Sequence, residues 1–335
     1  MSQANRVYTL AARPVGFPKE SDFALVEQPM PTPGENEFLI RTTYLTVDPY
    51  MRGRMNDAKS YAAPFELGEA IYGGTVGIVT ESNHPDYKEG DNVAGFGPWM
   101  DFAVSNGEGI NKLDPDAAPV TTALGILGMP GMTAYFGFLD LCEPKEGDQV
   151  FVSGAAGAVG EIVGQLAKIK GCRVVGSAGT DEKVERLLGE AGYDEAFNYK
   201  TETNFPSVLR GYFPEGIDCY FDNVGGAMTD AVLMNLAGFA RISICGAISQ
   251  YNLTEPEMAP RLMTNLLVTQ SRAEGFIVSR FAERFPEGQK QMAQWISEGK
   301  LTYREDIMEG LENTPKAFIR MLNGENKGKQ LVKVS

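Results

Sequence analysis

The stretch Val150–Gly171, VFVSGAAGAVGEIVGQLAKIKG, decides the fold of this chain. A short apolar run leads into Gly154-x-x-Gly157-x-x-Gly160, and a segment with helical spacing of apolar residues follows. Glycines at a strand-to-helix turn let the backbone turn tightly and bring N–H groups close to a pyrophosphate at the helix N-terminus. Because strand, turn and helix occur in this order, the motif indicates a nucleotide-binding turn rather than a purely structural one.

Around that turn, strand-like and helix-like segments alternate from about Gly128 to Lys300. Alternating apolar strands and helices predict an α/β fold with a doubly wound parallel sheet, a Rossmann domain, covered by helices on both faces. The predicted strands are Gln149–Ser153, Arg173–Ser177, Ala196–Tyr199, Ile217–Phe221, Ala240–Cys245 and Glu274–Val278. The predicted helices are Ala158–Lys170, Asp181–Ala191, Phe205–Tyr212, Ala227–Ala237 and one that ends near Gln270.

The first ~125 residues have a different texture, with many glycines, prolines and short alternations of apolar and polar residues. Asn36–Val47, Ile71–Ser82 and Asp91–Gly97 are typical of short strands separated by turns, and no helical pattern of any length occurs among them. This part therefore predicts a small β-rich domain, such as a partly open barrel.

The end of the chain predicts one more helix and one more strand. Thr314 is suited to cap the helix, Pro315 to lie in its first turn and Gly324 to end it. No helix follows the strand Lys329–Ser335, so we expect it to return to the first domain. The expected domains are residues 1–127 with 300–335, and residues 128–299.

Composition limits the class of protein. A chain of 335 residues is long for one core, and its net charge of −14 argues against binding nucleic acid or an anionic membrane. No run of about 20 apolar residues occurs, and the N-terminus lacks the apolar core of a signal peptide. The four cysteines are widely spaced, as expected of buried thiols in a reducing cytoplasm.

His84 is the single histidine of the chain. A zinc site built from several histidines is therefore impossible, and no Cys-x-x-Cys pair replaces it. A serine hydrolase would have to use His84, which lies in a polar, proline-flanked segment typical of a solvent loop. The sequence thus favours chemistry that needs neither metal nor histidine.

The end of the second strand predicts which cofactor binds. In an NAD site an acidic residue that binds the ribose hydroxyls lies ~20 residues past the glycine turn, near Ser177 here. The chain has Ser177-Ala178-Gly179 instead, which leaves room for a 2′-phosphate. Lys183 is a candidate counter-charge, with Tyr199 and Lys200 beside it. Lys183 alone is more typical of a solvated helix charge, but together with the missing acid it favours NADP.

The later strands end in segments suited to a cofactor groove. Phe221–Gly226 ends the fourth strand and Cys245–Asn252 the fifth, and both lie where ligands bind in open α/β sheets. Each segment could be an ordinary glycine-containing turn. Their succession at one sheet edge favours a groove.

Nine motifs in order make the chain recognisable: VDPYMRGRM, LGMPGMTAY, GAAGAVG, GCRVVGSAGTDEKV, FNYKT, DNVGG, CGAISQYN, EGFIV and LENTPKAFIRMLNGENKGK. Over nearly its whole length the sequence resembles the zinc-free medium-chain dehydrogenase/reductases. Within them it is similar to the branch of prostaglandin reductases, plant alkenal double-bond reductases and bacterial curcumin reductases.

The resemblance implies a GroES-like catalytic domain formed by both chain ends, a Rossmann domain and often a homodimer. It also implies NADPH-dependent reduction of the carbon–carbon double bond of α,β-unsaturated carbonyls such as 2-alkenals and enones. The implied cofactor residues are Gly157, Ala158, Val159 and Gly160 at the pyrophosphate, Lys183 and Tyr199 at the 2′-phosphate, and Asn223, Cys245, Gly246, Ala247, Ile248, Ser249, Gln250, Tyr251, Phe276, Ile277, Val278 and Asn326 along the rest.

One departure affects the chemistry. Mammalian members resemble YQELRMEGF where this chain has VTQSRAEGF, so a tyrosine proposed to assist chemistry there matches Val268. Reduction of an enone places negative charge on the carbonyl oxygen, which a positioned donor stabilises. The candidate donors are Tyr251, ranked first because it lies in the predicted cofactor segment, then Tyr50 and Tyr61, with water or a ribose hydroxyl of the cofactor as substitutes. Any one of the tyrosines could instead be an ordinary core or rim aromatic.

Two alternatives remain open from the sequence. A zinc-free quinone reductase would use the same groove for a flatter acceptor, and an inactive NADPH-binding regulatory protein would keep the cofactor site alone. An alcohol dehydrogenase is disfavoured, because in this fold the substrate oxygen usually needs zinc.

Overall fold

The computed structural model describes residues 4–335 and divides the chain into two compact units. The terminal unit consists of Met1–Leu124, Glu305–Asn326 and Gln330–Ser335, and the central unit of Gly125–Arg304 with Lys327–Lys329. Residues 125–127, 300–304 and 327–329 belong to the central unit, whereas the sequence predicts them in the terminal one. The backbone N–H of Lys329 donates to the carbonyl of Arg304 at 2.8 Å.

The terminal unit is built from antiparallel strands. β1 and β2 pair with each other, and a second sheet has the order β14-β15-β3-β4-β5-β7 with β6 on β3. The elements before residue 125 are β1 Asn5–Leu10, β2 Phe23–Gln28, β3 Phe38–Thr46, α1 Tyr50–Arg54, β4 Tyr72–Ser82, β5 Asn92–Pro98, β6 Phe102–Ser105 and β7 Asn111–Leu113. Later elements are β14 Glu305–Glu309, α9 Thr314–Leu322 and β15 Lys329–Lys333.

The central unit has the alternating arrangement that its sequence predicts. Its six strands are β8 Gln149–Val152, β9 Arg173–Ala178, β10 Glu195–Asn198, β11 Ile217–Asp222, β12 Leu236–Ile244 and β13 Arg272–Gly275. Its helices are α2 Met129–Leu139, α3 Gly160–Ile169, α4 Asp181–Gly189, α5 Phe205–Tyr212, α6 Gly226–Leu233, α7 Met263–Val268 and α8 Phe285–Ser297. All strand pairs are parallel.

The strand order of this sheet is β10-β9-β8-β11-β12-β13. The chain moves outward in one direction from β8 to β10 and then in the other from β11 to β13, so β8 and β11 flank the topological switch point. In such sheets ligands bind beyond the carboxyl ends of the strands at this point. Val150, Phe151 and Val152 of β8 are fully buried, as expected of a strand with helices on both faces.

Several predicted bounds are wrong. The helix after β11 ends at Leu233 rather than Ala237, because Leu236 already pairs with Ile217 in the sheet. β13 ends at Gly275, where its pairing with β12 stops at Ile244, and a 3-10 helix begins at Val278. α7 is only six residues long.

Two details of the terminal unit also differ from the prediction. The hydroxyl of Thr314 donates backward to the carbonyl of Leu311, and Asn313 occupies the position before α9, so Thr314 does not cap. A five-residue helix, α1, lies where only strands and turns are expected. Pro315 lies in the first turn of α9 and Gly324 follows it with φ +70°.

Candidate cofactor and active site

The turn between β8 and α3 has the shape that a dinucleotide phosphate needs. Gly154 has φ +60°, which favours glycine, and a Cβ on Gly160 would lie 2.5 Å from the carbonyl oxygen of Gly154. Among residues 4–335, the backbone N–H groups of Ala158 and Val159 have no protein acceptor. Val159 precedes the ten-residue helix α3 without a side-chain cap. The turn therefore offers open N–H groups and a helix N-terminus to an anion.

A tyrosine that the sequence analysis missed supports this turn. The hydroxyl of Tyr193 donates to the carbonyl oxygen of Gly160 at 2.7 Å, and Tyr193 is buried. A Cβ on Gly164 would lie 2.1 Å from its ring, and one on Gly176 would lie 2.7 Å from it. The two glycines thus make room for the ring, and their occurrence inside a helix and a strand is the signal that could have indicated it.

Ser177 does not occupy the position from which an acid would reach the ribose hydroxyls of NAD. Ser177 is 1% exposed, and its hydroxyl has no hydrogen-bond partner in the described chain. Gly179, directly after β9, is partly exposed. A Cβ on it would lie 3.1 Å from the hydroxyl oxygen of Tyr199 and 3.4 Å from Cε of Lys200. Gly179, not Ser177, is therefore the position that faces the predicted 2′-phosphate residues.

The residues next to Gly179 also belong to the predicted 2′-phosphate site. Thr180 caps α4 by accepting a hydrogen bond from the backbone N–H of Lys183 at 3.3 Å, which places Lys183 in the first turn of the helix. Tyr199 is 36% exposed, and partial burial raises the pKa of its phenol. The structure thus brings Gly179, Tyr199 and Lys200 together and puts Lys183 at the adjacent helix end.

The ends of β11 and β12 are tied to the glycine turn. The side-chain amide of Asn223 donates to the carbonyl of Ser153 at 2.8 Å, directly before Gly154. The backbone N–H of Ile248 donates to the carbonyl of Asn223 at 3.3 Å, and the hydroxyl of Ser249 donates to the carbonyl of Val224 at 2.6 Å. Three predicted cofactor segments therefore lie together at the carboxyl edge of the sheet.

Tyr251 lies within the last of these segments. Its hydroxyl oxygen accepts a hydrogen bond from the backbone N–H of Ala247 at 3.1 Å. Burial raises the pKa of this phenol, so it keeps its proton at neutral pH. The thiol of Cys245 is likewise kept protonated, because burial raises its pKa to about 12. Tyr251 is thus a neutral hydrogen-bond donor at the sheet edge.

The segment after β13 is less suited to contact a ligand through its side chains. Phe276 is 8% exposed and packs on Gly137, where a Cβ would lie 2.2 Å from its ring. Val278 packs against the same core, whereas Ile277 is 41% exposed. A cofactor contact from Phe276 would have to come from its backbone.

In the terminal unit, Tyr50 and Tyr61 lie close enough to influence each other electrostatically. Burial, then the nearby charge of Asp48, raises the pKa of Tyr50, and Tyr61 adds to the effect. Asp48 is buried and accepts a hydrogen bond from the hydroxyl of Thr46 at 3.0 Å. Tyr61 is 59% exposed. Both candidate donors of this unit are thus placed around one short helix.

Two other residues of the terminal unit, Arg52 and His84, make contacts with neighbouring parts of the same unit. Arg52 is 2% exposed and donates to the carbonyls of Pro14 and Gly16, so it holds the N-terminal loop. His84 is half-buried, and its ring packs edge-on against Phe38. It is therefore less exposed than a solvent loop would make it.

Asn326 is nearly buried in the terminal unit, and its cofactor contact stays a prediction. In the part of the chain that the structure describes, no group of three or more His, Cys, Asp or Glu side chains could hold a metal ion. Over the same residues, no helix has the length and apolar composition needed to cross a bilayer.

Comparisons with known proteins agree with this geometry. Residues 6–113 match the family model described as the N-terminal domain of oxidoreductase, and residues 158–298 match the one described as zinc-binding dehydrogenase. The NADPH-dependent curcumin reductase of Escherichia coli (strain K12) is 46% identical, over 99% of this chain and 98% of its own. The NADP(+)-dependent 2-alkenal reductase of Nicotiana tabacum is 44% identical, over 99% and 98%.

A solved structure agrees at the level of the fold. The crystal structure of CurA from Vibrio vulnificus in complex with NADPH is 45% identical and superposes with a TM-score of 0.95, covering 98% of this chain and 99% of that chain. The glycine turn, with its open N–H groups and no space for a Cβ at Gly160, fits the same cofactor.

Proposed function

This chain belongs to the zinc-free medium-chain dehydrogenase/reductases, an NADP(H)-dependent oxidoreductase family, and we propose that it reduces the carbon–carbon double bond of α,β-unsaturated carbonyls. The phenol of Tyr251, which lies within a predicted cofactor segment and is held by the backbone N–H of Ala247, is the observation that carries the proposal. Tyr50, in the helix α1 of the terminal unit, is the second candidate donor.

The reaction requires the protein to bind NADPH and the substrate and to donate a proton. NADPH, when bound, supplies a hydride to the β-carbon of the substrate. The negative charge that then develops on the carbonyl oxygen makes that oxygen a much stronger acceptor, so a tyrosine O–H aimed at it stabilises the transition state more than the ground state. A neutral tyrosine can also deliver the proton to the product.

For the substrates we propose 2-alkenals and enones, including curcumin-like dienones. The names of the E. coli and tobacco relatives support these classes. Val268 is 78% exposed in α7, and its side chain has no hydrogen-bond donor. This favours the substrates of the bacterial enone reductases over the lipid substrates of the mammalian branch.

The proposal is tested by following NADPH oxidation against a panel of 2-alkenals, aryl enones and quinones. We expect consumption with alkenals and enones and a saturated carbonyl as product. Consumption with quinones alone would favour a zinc-free quinone reductase. NADPH binding without consumption by any acceptor would favour a regulatory protein that has kept only the cofactor site.

We also propose that the protein is a homodimer that uses the β13 edge of the central unit. β13 is an edge strand, and Met263, Leu267 and Val268 of the nearby helix α7 are 70%, 78% and 78% exposed. Exposed apolar groups beside the outer edge of a sheet are typical of an association surface. Light scattering should give twice the chain mass, and Leu267→Glu should shift it to the monomer. A monomeric wild-type protein would contradict this.

All four cysteines are free thiols, three of them buried. Free thiols are typical of a reducing compartment, so we propose a cytoplasmic location.

A further inference from the structure

Asp222 is a buried acid at the end of β11 that none of the predicted cofactor contacts uses. It is 2% exposed. One carboxylate oxygen accepts from the backbone N–H groups of Val224 and Gly225 at 2.9 and 2.8 Å, and the other accepts from the hydroxyl of Thr229 at 2.5 Å. The acid thus fixes the turn between β11 and α6, in which Gly225 has φ +72°.

The same carboxylate reaches the end of β8. The hydroxyl of Tyr220 lies 2.8 Å from it and that of Ser153 3.3 Å from it, and both residues are fully buried. The Ser153 hydroxyl oxygen in turn accepts from the backbone N–H of Asn223 at 3.1 Å. Asp222 is thereby linked to the residue that directly precedes the glycine turn.

The backbone of Asp222 reaches the third segment. Its carbonyl oxygen accepts from the N–H groups of Cys245 and Gly246 at 2.9 and 3.0 Å. The side chain and main chain of one residue therefore join the glycine turn, the Asn223 turn and the Cys245–Tyr251 segment. These segments meet at the topological switch point between β8 and β11.

We propose that Asp222 is a positioning residue for NADP(H), which holds the three cofactor segments in register before the cofactor binds. All partners of its side chain are neutral donors, and the carboxylate acts only as an acceptor. An amide at this position keeps one acceptor oxygen but loses the negative charge, which weakens the hydrogen bonds from the N–H groups of Val224 and Gly225, and its NH2 group would face the hydroxyl of Thr229. The inference rests on NADP(H) binding and not on enone reduction.

The test compares Asp222→Asn with Asp218→Asn in the full-length protein. Asp218 lies on the same strand at its opposite end, where its carboxylate accepts from the backbone N–H of Gln149 at 2.8 Å. Equilibrium binding of NADPH, measured by its fluorescence, and the unfolding temperature are determined for both variants. Thr229→Val, which removes one donor, is a milder third variant.

We expect Asp222→Asn to raise the Kd for NADPH about 10- to 100-fold and Thr229→Val to raise it by a smaller factor. Asp218→Asn should lower the unfolding temperature while it leaves the Kd within about twofold of wild type. In the cofactor-free protein, amide hydrogen exchange at Val224 and Gly225 should accelerate only in the Asp222 and Thr229 variants.

Unchanged NADPH affinity in Asp222→Asn, or an equal loss in Asp218→Asn, would overturn the proposal. If Asp222→Asn does not fold, Thr229→Val decides, since a wild-type Kd with wild-type exchange at the turn would also overturn it. Failure of the enone assay with normal NADPH binding would count against the proposed function and leave this inference standing.

Discussion

The hydroxyl oxygen of Tyr251 accepts a hydrogen bond from the backbone N–H of Ala247 at 3.1 Å. This bond fixes the phenol within its own loop and leaves its O–H able to donate to a substrate. A donor held in place before the substrate arrives does not have to reorganise during the reaction, which is the condition for strong electrostatic stabilisation.

Tyr251→Phe removes that donor, and we expect it to lower kcat with an enone by about 100-fold or more, since positioned acids contribute at least this much. The Kd for NADPH should change much less. Steady-state kinetics and NADPH titration measure the two quantities. Tyr212→Phe, in α5, is the matched control and should behave as wild type. A loss confined to the NADPH affinity would show that Tyr251 only shapes the loop.

Tyr50→Phe should also lower kcat, by about tenfold or more, and leave the NADPH affinity unchanged. The reason is that the variant lacks the phenol O–H that would donate to the carbonyl oxygen of the substrate. Tyr87→Phe, whose hydroxyl donates to the carbonyl of Ile110, is the control in the same unit. If Tyr50→Phe and Tyr251→Phe both keep full turnover, the proton comes from solvent.

Gly179→Asp should raise the KM for NADPH by about tenfold or more and leave the KM for NADH little changed. The new carboxylate would lie beside Tyr199 and Lys200 and repel a 2′-phosphate. Gly179→Asn has nearly the same size without the charge and should keep the preference for NADPH. Equal effects of Asp and Asn on the two cofactors would contradict the assignment.

Ser177→Asp is not the right variant for this purpose. Ser177 is 1% exposed, so a carboxylate there would be buried without a partner and should cost folding rather than change the cofactor preference.

Glu161 gives the stability a predictable pH dependence. Burial outweighs the attraction of Arg186, which is shared with Glu190, and the pKa of Glu161 is raised from 4.5 to about 7. The folded state therefore binds the proton more tightly than the unfolded state. This stabilisation is fully present below pH 4.5 and is lost as the pH rises through about 7.

Relative to Glu161→Gln, the unfolding free energy of the wild type should thus fall by about 3 kcal/mol between pH 4.5 and 7.5. Urea titrations at a series of pH values measure it. Glu185→Gln, at an exposed position of α4, should keep the wild-type profile. Parallel profiles for the wild type and Glu161→Gln would show that the carboxyl titrates normally.

The fold was predictable where a pattern is local. The glycine turn and the six strands of the central unit follow from apolar runs and turn residues, which depend on neighbours in the sequence. The bounds near Leu236 and Gly275 were not predictable, because strand pairing with Ile217 and Ile244 sets them. The five-residue helix α1 is too short for a periodic pattern.

The candidate site was predictable as segments but not as contacts. Ser177 lies in β9, a strand that is buried on both faces from Val174 to Ala178, so the covering of the sheet by helices on both sides could have placed it inside. The bond from Tyr193 to Gly160 and the network around Asp222 join residues far apart in the chain, and no spacing rule indicates them. These supports depend on tertiary structure alone.

The position of the transferred hydrogen tests enone reduction most directly. The protein is incubated with NADPH carrying deuterium at C4 of the nicotinamide and an enone, and the product is examined by NMR and mass spectrometry. We predict a saturated carbonyl compound with one deuterium on the former β-carbon. An allylic alcohol with deuterium on the carbon that bears the hydroxyl group would contradict double-bond reduction. The absence of deuterium transfer to any enone would contradict it as well.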